Sequence, residues 1–206
     1  MISAAHFDES AKTWDSDPAK IARAEAVADG IRKGVPLSPG MRALEYGCGT
    51  GLLGFSLAPH VSHVTLADNS PGMLAVLDDK IAAAGIRNMR SLKLDLAVDP
   101  LPDERYDLIC SLMTLHHVED TDRILRDWCA LLRSPGHLCV ADLDAEDGSF
   151  HGPGFTGHNG FDRTELGARA VRAGFNACRF STVFQVTRDG GAGQRTYPVF
   201  LMIAGK

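Results

Sequence analysis

Hydrophobic and polar positions follow two periods in turn along the chain, and each period predicts a different element. Short apolar runs that end at glycine, proline or aspartate are typical of buried parallel strands, whereas apolar residues every three or four positions are typical of helices. The short runs predict strands at 42–46, 61–67, 89–94, 106–112, 137–143, 179–187 and 196–203. The helical spacing predicts helices at 18–33, 52–58, 71–84, 120–132 and 162–174.

Turn and capping residues mark the ends of several elements. Ser70 with the proline after it is a typical helix start, and Gly85 is a typical helix end. Asp162 and Glu165 resemble a capping box at the start of the last helix. The glycines within 189–193 predict a hairpin loop between the last two strands.

Strands and helices therefore alternate, a turn at 134–136 leads into the fifth strand, and the chain closes with a hairpin. This order predicts the α/β class. We expect a doubly wound, Rossmann-like, mostly parallel seven-stranded sheet with one antiparallel strand and helices on both faces.

Composition and charge exclude several kinds of protein. Hydrophobic residues make up 45% and charged residues 23% of the 206 residues, with a formal net charge of −5. Lysine and arginine are scattered without a basic run, so we expect no nucleic-acid partner. No apolar run approaches about 18 residues and the N-terminus lacks a secretory pattern, so we expect no membrane insertion and a cytoplasmic location. The oligomeric state is not specified.

Five cysteines, an odd number without CxxC spacing, favour reduced and mostly buried thiols. They are Cys48, Cys110, Cys129, Cys139 and Cys178. Cys110, His116 and His117 form a conceivable metal-ligand set, but core cysteines beside a functional loop are the better interpretation. We therefore predict no metal site.

A glycine-rich turn after the first strand is the strongest chemical pattern in the chain. Its residues are Glu45-Tyr46-Gly47-Cys48-Gly49-Thr50-Gly51. Three glycines at alternate positions leave the backbone open to a ligand's polar atoms, and an acid lies two places before the first of them. The turn predicts a nucleotide-like pocket at the carboxyl end of the strand.

Polar residues also follow the next three strands, where ligands bind in an open α/β sheet. Asp68 follows the second strand, where a carboxylate can take both hydroxyls of a ribose. Asp95 and Leu96 follow the third, where a carboxylate and a backbone N–H can hold an adenine. The segment 111–117 follows the fourth strand.

These motifs together resemble the class I S-adenosylmethionine-dependent methyltransferases, and most closely the small-molecule group that includes quinone-biosynthesis enzymes. The resemblance runs from about residue 42 to 143, roughly half the chain, and its order is more specific than any single motif. It includes Leu115-His116-His117 after the fourth strand. His137 departs from the family pattern, which often has glycine there, and we expect little effect of this difference.

The resemblance implies S-adenosyl-L-methionine as cofactor, S-adenosyl-L-homocysteine as product and a small-molecule methyl acceptor. It implies a single domain at 1–206, with a lid segment at 1–34, a cofactor-binding core at 42–143, a mobile loop at 144–160 and a helix with closing hairpin at 161–206. The implied cofactor-binding residues are Glu45, Tyr46, Gly47, Cys48, Gly49, Gly51, Asp68, Asn69, Met73, Asp95, Leu96, Ser111, Phe7 and Trp14.

Several of these residues have a second interpretation. Glu45 orders the loop or meets an ammonium group, and Met73 lies in the core, under the adenine in the binding interpretation. Phe7 and Trp14 cover the cofactor or simply anchor the lid.

A general base is optional, because the sulfonium is an activated methyl donor and the protein mainly aligns the acceptor. His116 or His117 is the candidate base, and packing against the sheet explains these two side chains equally well. Asp142 and Asp144 are further candidates. The histidines of the 144–160 loop, His151 and His158, are expected to be solvated.

Two other functions remain open. A nicotinamide-dependent oxidoreductase is compatible with the GxGxxG match at 49–54 and with Asp68, but no Tyr-x-x-x-Lys pair accompanies them. A protein that binds the cofactor without transferring its methyl group is also compatible. Base methylation of nucleic acid is disfavoured because Ser111-Leu112-Met113-Thr114 replaces the acidic or amide residue, two prolines and aromatic of those enzymes.

Overall fold

The computed structural model describes residues 4–176, 178–190 and 193–206. The helices are α1 (Ala4–Ser10), α2 (Pro18–Gly34), α3 (Leu52–Leu57), α4 (Pro71–Ala84), α5 (Thr121–Leu131) and α6 (Arg163–Arg172). The strands are β1 (Arg42–Tyr46), β2 (His63–Asp68), β3 (Met89–Lys93), β4 (Tyr106–Leu112), β5 (Leu132–Leu143), β6 (Arg179–Gly190) and β7 (Gly193–Gly205). Short 3₁₀ turns lie at Ala11–Ser16, Ala58–His60 and Leu115–His117.

The seven strands form one sheet in the order β3-β2-β1-β4-β5-β7-β6. Strand β7 is antiparallel to both β5 and β6, while β1 to β5 pair in parallel. The predicted mixed sheet with one antiparallel strand is therefore confirmed. Strand order reverses beside β1, which pairs with β2 on one side and β4 on the other. In open α/β sheets this reversal opens a crevice beyond the carboxyl ends of the strands.

Alternate residues of each strand face two helical layers, as the predicted doubly wound fold requires. Ala43 of β1 packs with α2, α3 and α4, whereas its neighbour Leu44 packs with α5 and α6. Trp128 of α5 is fully buried in the second layer. Helix α2, predicted as part of a lid, buries its apolar stripe in the first layer.

The predicted caps are present. The Ser70 hydroxyl accepts the Met73 N–H, and Gly85 has a left-handed backbone at the end of α4. Asp162 accepts the Glu165 N–H at the start of α6, but Glu165 reaches forward to Arg169 instead of closing a capping box.

Two boundaries differ from the prediction. The residues predicted as a turn at 134–136 are instead an irregularity inside β5, because Tyr106 pairs with Leu132 and Leu108 with His137. The terminal strands extend further than predicted, and the centre of their hairpin loop, at 191–192, lies outside the described residues. No helix in the described ranges is long and apolar enough to cross a membrane.

Candidate cofactor and acceptor site

The glycine turn between β1 and α3 is tied to the end of β2. The N–H groups of Gly47 and Cys48 both donate to the Ala67 carbonyl, at 2.8 and 3.0 Å. Gly47, Gly49 and Gly51 have φ values of 70°, 52° and 81°. Residues that carry a side chain rarely adopt this left-handed backbone conformation, so the fold requires glycine at all three positions.

The three glycines face different surroundings. A Cβ at Gly47 would lie 2.2 Å from the Thr114 side chain, and one at Gly51 would lie 2.7 Å from Leu77. At Gly49 the nearest atoms would be Met73 Sδ and Trp14 Nε1, both 3.8 Å away. Of the three glycines, Gly49 is thus the one at which a Cβ would make ordinary van der Waals contacts and no clash, beneath the N-terminal segment.

Asp68 lies at the end of β2 beside this turn. Its carboxylate accepts the Gly49 N–H at 2.7 Å and the Ser70 N–H at 2.9 Å. Burial raises its pKa, and the hydrogen bonds from backbone N–H groups oppose that rise. The Asn69 N–H also hydrogen-bonds this carboxylate. Because a carboxylate has about four acceptor positions, Asp68 keeps capacity for a further donor such as a ribose hydroxyl.

The residues after β3 are partly committed to protein contacts. Asp95 accepts the side-chain amide of Asn69 at 3.1 Å, so the two predicted residues are neighbours. The Leu96 N–H, expected to hold an adenine, instead donates to the Tyr46 hydroxyl at 3.1 Å. The reason is that Tyr46 points across the sheet toward β3, where burial raises its pKa to about 12. This N–H has a protein partner, so the carboxylate of Asp95 is the group left for an adenine.

Glu45 is 2% exposed and accepts the backbone N–H of Gly54 in α3. Its Oε2 atom has no hydrogen-bond partner within the described residues. Burial raises its pKa to about 8, and the nearby charge of Asp68 adds to the rise. Glu45 therefore lies under the glycine turn as a largely protonated acid at neutral pH.

Three other predicted cofactor residues are buried. Met73 is 1% exposed, and its sulfur lies near the open side of Gly49. The Cys48 thiol donates to the Gly49 carbonyl at 3.5 Å, and burial raises its pKa. Ser111 is 1% exposed within β4 and its hydroxyl has no partner in the described part of the chain.

Residues 4–16, the N-terminal cover, lie across the glycine turn and the start of α4. Asp8 accepts the Ser70 hydroxyl at 2.6 Å and the Gly72 N–H at 2.7 Å, which lowers the Asp8 pKa. Asp15 accepts the Thr50 hydroxyl at 2.5 Å and pairs with Lys80 at 2.6 Å.

The aromatic side chains of the cover face each other and the residues after β4. The rings of Phe7 and Trp14 are 6.0 Å apart, and Phe7 lies 5.5 Å from the His117 ring. Lys20 stacks its ammonium 3.4 Å from the Trp14 ring centre. The cover therefore spans from the glycine turn to the predicted histidines.

His116 and Asp142 form a buried pair at the ends of β4 and β5. His116 Nδ1 lies 2.7 Å from Asp142 Oδ1, and the two side chains are 1% and 0% exposed. The carboxylate also accepts the N–H groups of His116 and Leu143. Burial by itself would raise the Asp142 pKa, but His116 and these hydrogen bonds lower it overall.

His117 and His151 complete a cluster with His116. The centre of the His116 ring lies 4.1 Å from that of His117 and 5.0 Å from that of His151. Burial, together with the neighbouring imidazoles, lowers the pKa of His117 to about 3 and that of His151 to about 4. Phe155 stacks on His151 at 3.9 Å.

The expectation that His151 and His158 are solvated is wrong. The loop folds back over β4, where His158 donates its backbone N–H to the His116 carbonyl and its ring contacts the Val118 carbonyl at 2.9 Å. Sequence spacing carries no information about this contact, since the loop has no regular period.

Two candidates have other partners. Asp144, proposed as a base, forms a two-bond ion pair with Arg163 at 2.7 Å. Cys110, proposed as a metal ligand, hydrogen-bonds the Leu44 carbonyl inside the sheet, and His151 takes its place beside His116. Cys110 does not join the histidines because side chains alternate between the two faces of a strand. Its side chain lies within the core, on the face opposite to Ile109.

Several contacts of the site were not predicted. They involve Asp8, Asp15, Thr50, Lys80 and Thr114. Thr114 lies directly after β4 and donates to the Gly47 carbonyl at 3.2 Å. The position of Thr114 at a strand end is a sequence signal that could have identified it as a site residue. Asp8 and Asp15 carry no such signal in the sequence.

Sequence comparison connects this site to known proteins. A family model described as "Methyltransferase domain" matches residues 43–136, a little under half of the chain. A ubiquinone biosynthesis O-methyltransferase of Marinobacter nauticus is 33% identical over 113 residues, 54% of this chain and 48% of that protein. A ubiquinone/menaquinone biosynthesis C-methyltransferase UbiE of Vibrio vulnificus is 35% identical over 109 residues, 51% of this chain and 42% of that protein. The chain spans about half the length of the curated relatives it matches.

Structure comparison agrees. The crystal structure of a SAM-dependent methyltransferase of Aquifex aeolicus superposes with a TM-score of 0.67 at 19% identity, covering 98% of this chain and 99% of that one. This likeness shows the Rossmann-like methyltransferase fold. Residues 43–136 thus match a methyltransferase domain, and the relatives and the fold agree with the resemblance to the class I S-adenosylmethionine-dependent methyltransferases.

Proposed function

We propose that this protein binds S-adenosylmethionine at the crevice beside β1 and transfers its methyl group to a small phenolic acceptor. One observation carries the proposal: the Asp68 carboxylate accepts the Gly49 N–H, and the cover lies over Gly49 with Met73 and Trp14 no closer than 3.8 Å to a Cβ placed there. A ribose beside that carboxylate directs the rest of the cofactor along the open turn.

The residues around the crevice have separate roles in this proposal. Asp68 accepts the ribose hydroxyls, and Asp95 with Asn69 borders the adenine. Phe7 and Trp14 cover the cofactor and exclude water. S-adenosylmethionine bound there would supply an activated methyl group, and the surrounding residues would hold an acceptor oxygen in line with it.

A small aromatic acceptor fits the surroundings of the histidines. The cover and the 144–160 loop both reach this place, through Phe7 against His117 and Phe155 against His151. Enclosure by two chain segments favours a small molecule over a polymer. Aromatic side chains favour a ring, and the two named relatives act in ubiquinone and menaquinone biosynthesis. The imidazoles of His116 and His117 then face the acceptor oxygen.

The ribose role of Asp68 gives the first test. Asp68→Asn should weaken S-adenosylhomocysteine binding more than tenfold in titration calorimetry, about 1.4 kcal/mol, because one charged acceptor is lost. Asp78→Asn is the matched control, since Asp78 is an exposed acid on α4. Equal affinities of wild type and Asp68→Asn would remove this assignment.

Turnover separates the proposed enzyme from a binding protein and from an oxidoreductase. Incubation with S-adenosylmethionine and a panel of catechols and hydroquinones should produce S-adenosylhomocysteine. Tight cofactor binding without product from any acceptor would favour a binding protein. Binding of NADP in place of S-adenosylhomocysteine would favour the oxidoreductase.

A further inference from the structure

The histidine cluster places three imidazoles around one point. One nitrogen from each of His116, His117 and His151 lies within 4.8 Å of the other two. Nitrogens bound to one zinc ion lie about 3.4 Å apart, since each bond is about 2.1 Å long. Small rotations of the rings therefore bring all three nitrogens into coordinating distance.

The partners of the three rings leave nitrogens available. His116 Nδ1 is bound to Asp142, which directs its Nε2 away from the carboxylate. A carboxylate on the second nitrogen is the usual arrangement behind a metal-binding histidine, because it orients the ring and raises its basicity. His117 Nδ1 and His151 Nε2 are buried and have no hydrogen-bond partner in the described part of the chain. Buried polar atoms without partners are costly, so these two invite a ligand.

We propose that His116, His117 and His151 bind one divalent transition-metal ion, with Asp142 as the positioning residue behind His116. Three neutral imidazoles suit zinc, cobalt or nickel, whereas magnesium and calcium require oxygen ligands. Three protein ligands leave a fourth position open, as in catalytic zinc sites. This site reverses the expectation from the sequence that no metal is bound.

Charges of both signs act near the cluster. The buried Asp142 carboxylate supplies one negative charge beside His116. Arg188 acts on His151 with positive charge while it stacks 3.8 Å from the Phe150 ring, and Arg23 acts on Asp142. Asp142 is therefore the group that favours a cation here, and it does so against two arginines.

The open position gives the metal a role that rests on the proposed function. A phenolic hydroxyl bound there loses its proton to water more readily, because the metal stabilises the oxyanion. That oxygen then forms its bond to the methyl carbon as the carbon–sulfur bond breaks. The histidines act in this scheme as ligands that hold the acceptor.

Cobalt titration tests the metal site directly. The chelator-treated full-length protein should bind one Co²⁺ and develop the visible absorption bands of tetrahedral cobalt. His117→Phe and His151→Phe keep the ring packing but remove the nitrogens, and each should weaken binding at least tenfold. Asp142→Asn should weaken it about 10- to 100-fold. His60→Ala, an exposed histidine before β2, should bind like wild type.

Two further readouts separate this inference from the proposed function. Adding catechol to the cobalt protein should shift the visible bands, and an unchanged spectrum would overturn the acceptor role. Absence of tight cobalt binding by wild type, or wild-type cobalt affinity in both phenylalanine variants, would overturn the metal site. The affinity of wild type and the same variants for S-adenosylhomocysteine is measured in parallel. A wild-type protein that does not bind S-adenosylhomocysteine would refute the proposed function and leave the metal site intact.

Discussion

Gly47 and Gly49 adopt the same left-handed backbone conformation. A side chain would have a different consequence at each of the two positions. A side chain at Gly47 would collide with Thr114, which is held in place by donating to the Gly47 carbonyl. A Cβ at Gly49 would make ordinary van der Waals contacts with Met73 and Trp14. The first glycine therefore serves the fold, and under the proposed function the second serves the ligand.

Alanine substitutions should separate these two requirements. Gly47→Ala should lower the free energy of unfolding by about 3 kcal/mol, the sum of backbone strain and overpacking. Gly49→Ala should lower it by about 1–2 kcal/mol from strain alone but weaken S-adenosylhomocysteine binding more than tenfold. Urea unfolding and calorimetry measure the two effects. Normal cofactor affinity of Gly49→Ala would show that the ligand does not approach this backbone.

Glu45 is a buried acid whose proton is linked to folding. Its pKa of about 8 in the folded protein exceeds the ordinary value of 4.5, so the native state keeps a proton that the unfolded chain releases. The free energy of unfolding therefore falls as pH rises from about 4.5 to 8.

Glu45→Gln should abolish that part of the pH dependence. The variant should match wild type near pH 5 and be more stable by about 3–4 kcal/mol at pH 8. Urea unfolding of both proteins at several pH values gives the difference in their free energies of unfolding. The contributions of ionisable groups common to both proteins cancel in this difference. Parallel stability curves would mean that Glu45 is ionised in the native state.

At the scale of elements, the N-terminal cover is held to the glycine turn by polar contacts at its two ends. Asp8 binds the start of α4, and Asp15 binds Thr50 and Lys80. Among the side chains that the structure describes in this segment, Ala11 is the one apolar side chain that is buried, whereas α2 buries four, so the segment docks more weakly than α2. Such a segment can open for ligand exchange while the core stays folded.

Asp15→Asn should loosen one end of the cover. We expect S-adenosylhomocysteine to dissociate several-fold faster, with less than about 1 kcal/mol lost from global stability, because the ion pair is partly exposed. Stopped-flow fluorescence of Trp14 measures the dissociation rate. Lys12→Ala, an exposed substitution on the same segment, is the control. Identical rates for Asp15→Asn and wild type would place the cover away from the bound ligand.

At the scale of the whole molecule, the crevice joins segments from both halves of the chain, so cofactor binding should stabilise the entire fold. A ligand at a hundredfold excess over its Kd adds about 2.7 kcal/mol. For a chain of 206 residues this corresponds to a rise in Tm of about 5–11 °C. Differential scanning fluorimetry with S-adenosylhomocysteine checks the rise, and NADP at the same concentration should leave Tm unchanged.

Local patterns of residues predicted much of this molecule from sequence. The strand and helix periods, the caps at Ser70 and Asp162, and the glycine turn depend on contacts between residues a few positions apart. The sheet class follows as well, because alternating strands and helices permit few arrangements. The acids at strand ends were predicted for a related reason: parallel strands bring their carboxyl ends to one edge.

Tertiary structure alone decided the contacts between segments that are distant along the chain. Asp8 meets Ser70 across 62 residues, and the hydroxyl of Tyr46 takes the N–H of Leu96 across 50. The aperiodic 144–160 loop brings His151 onto His116 and so creates the cluster that the sequence did not show. Periodicity records which face of an element is buried, but which side chains meet depends on how the packed loops and layers close. The sequence therefore determined the glycine turn and its sheet, whereas folding decided which side chains surround the histidine cluster.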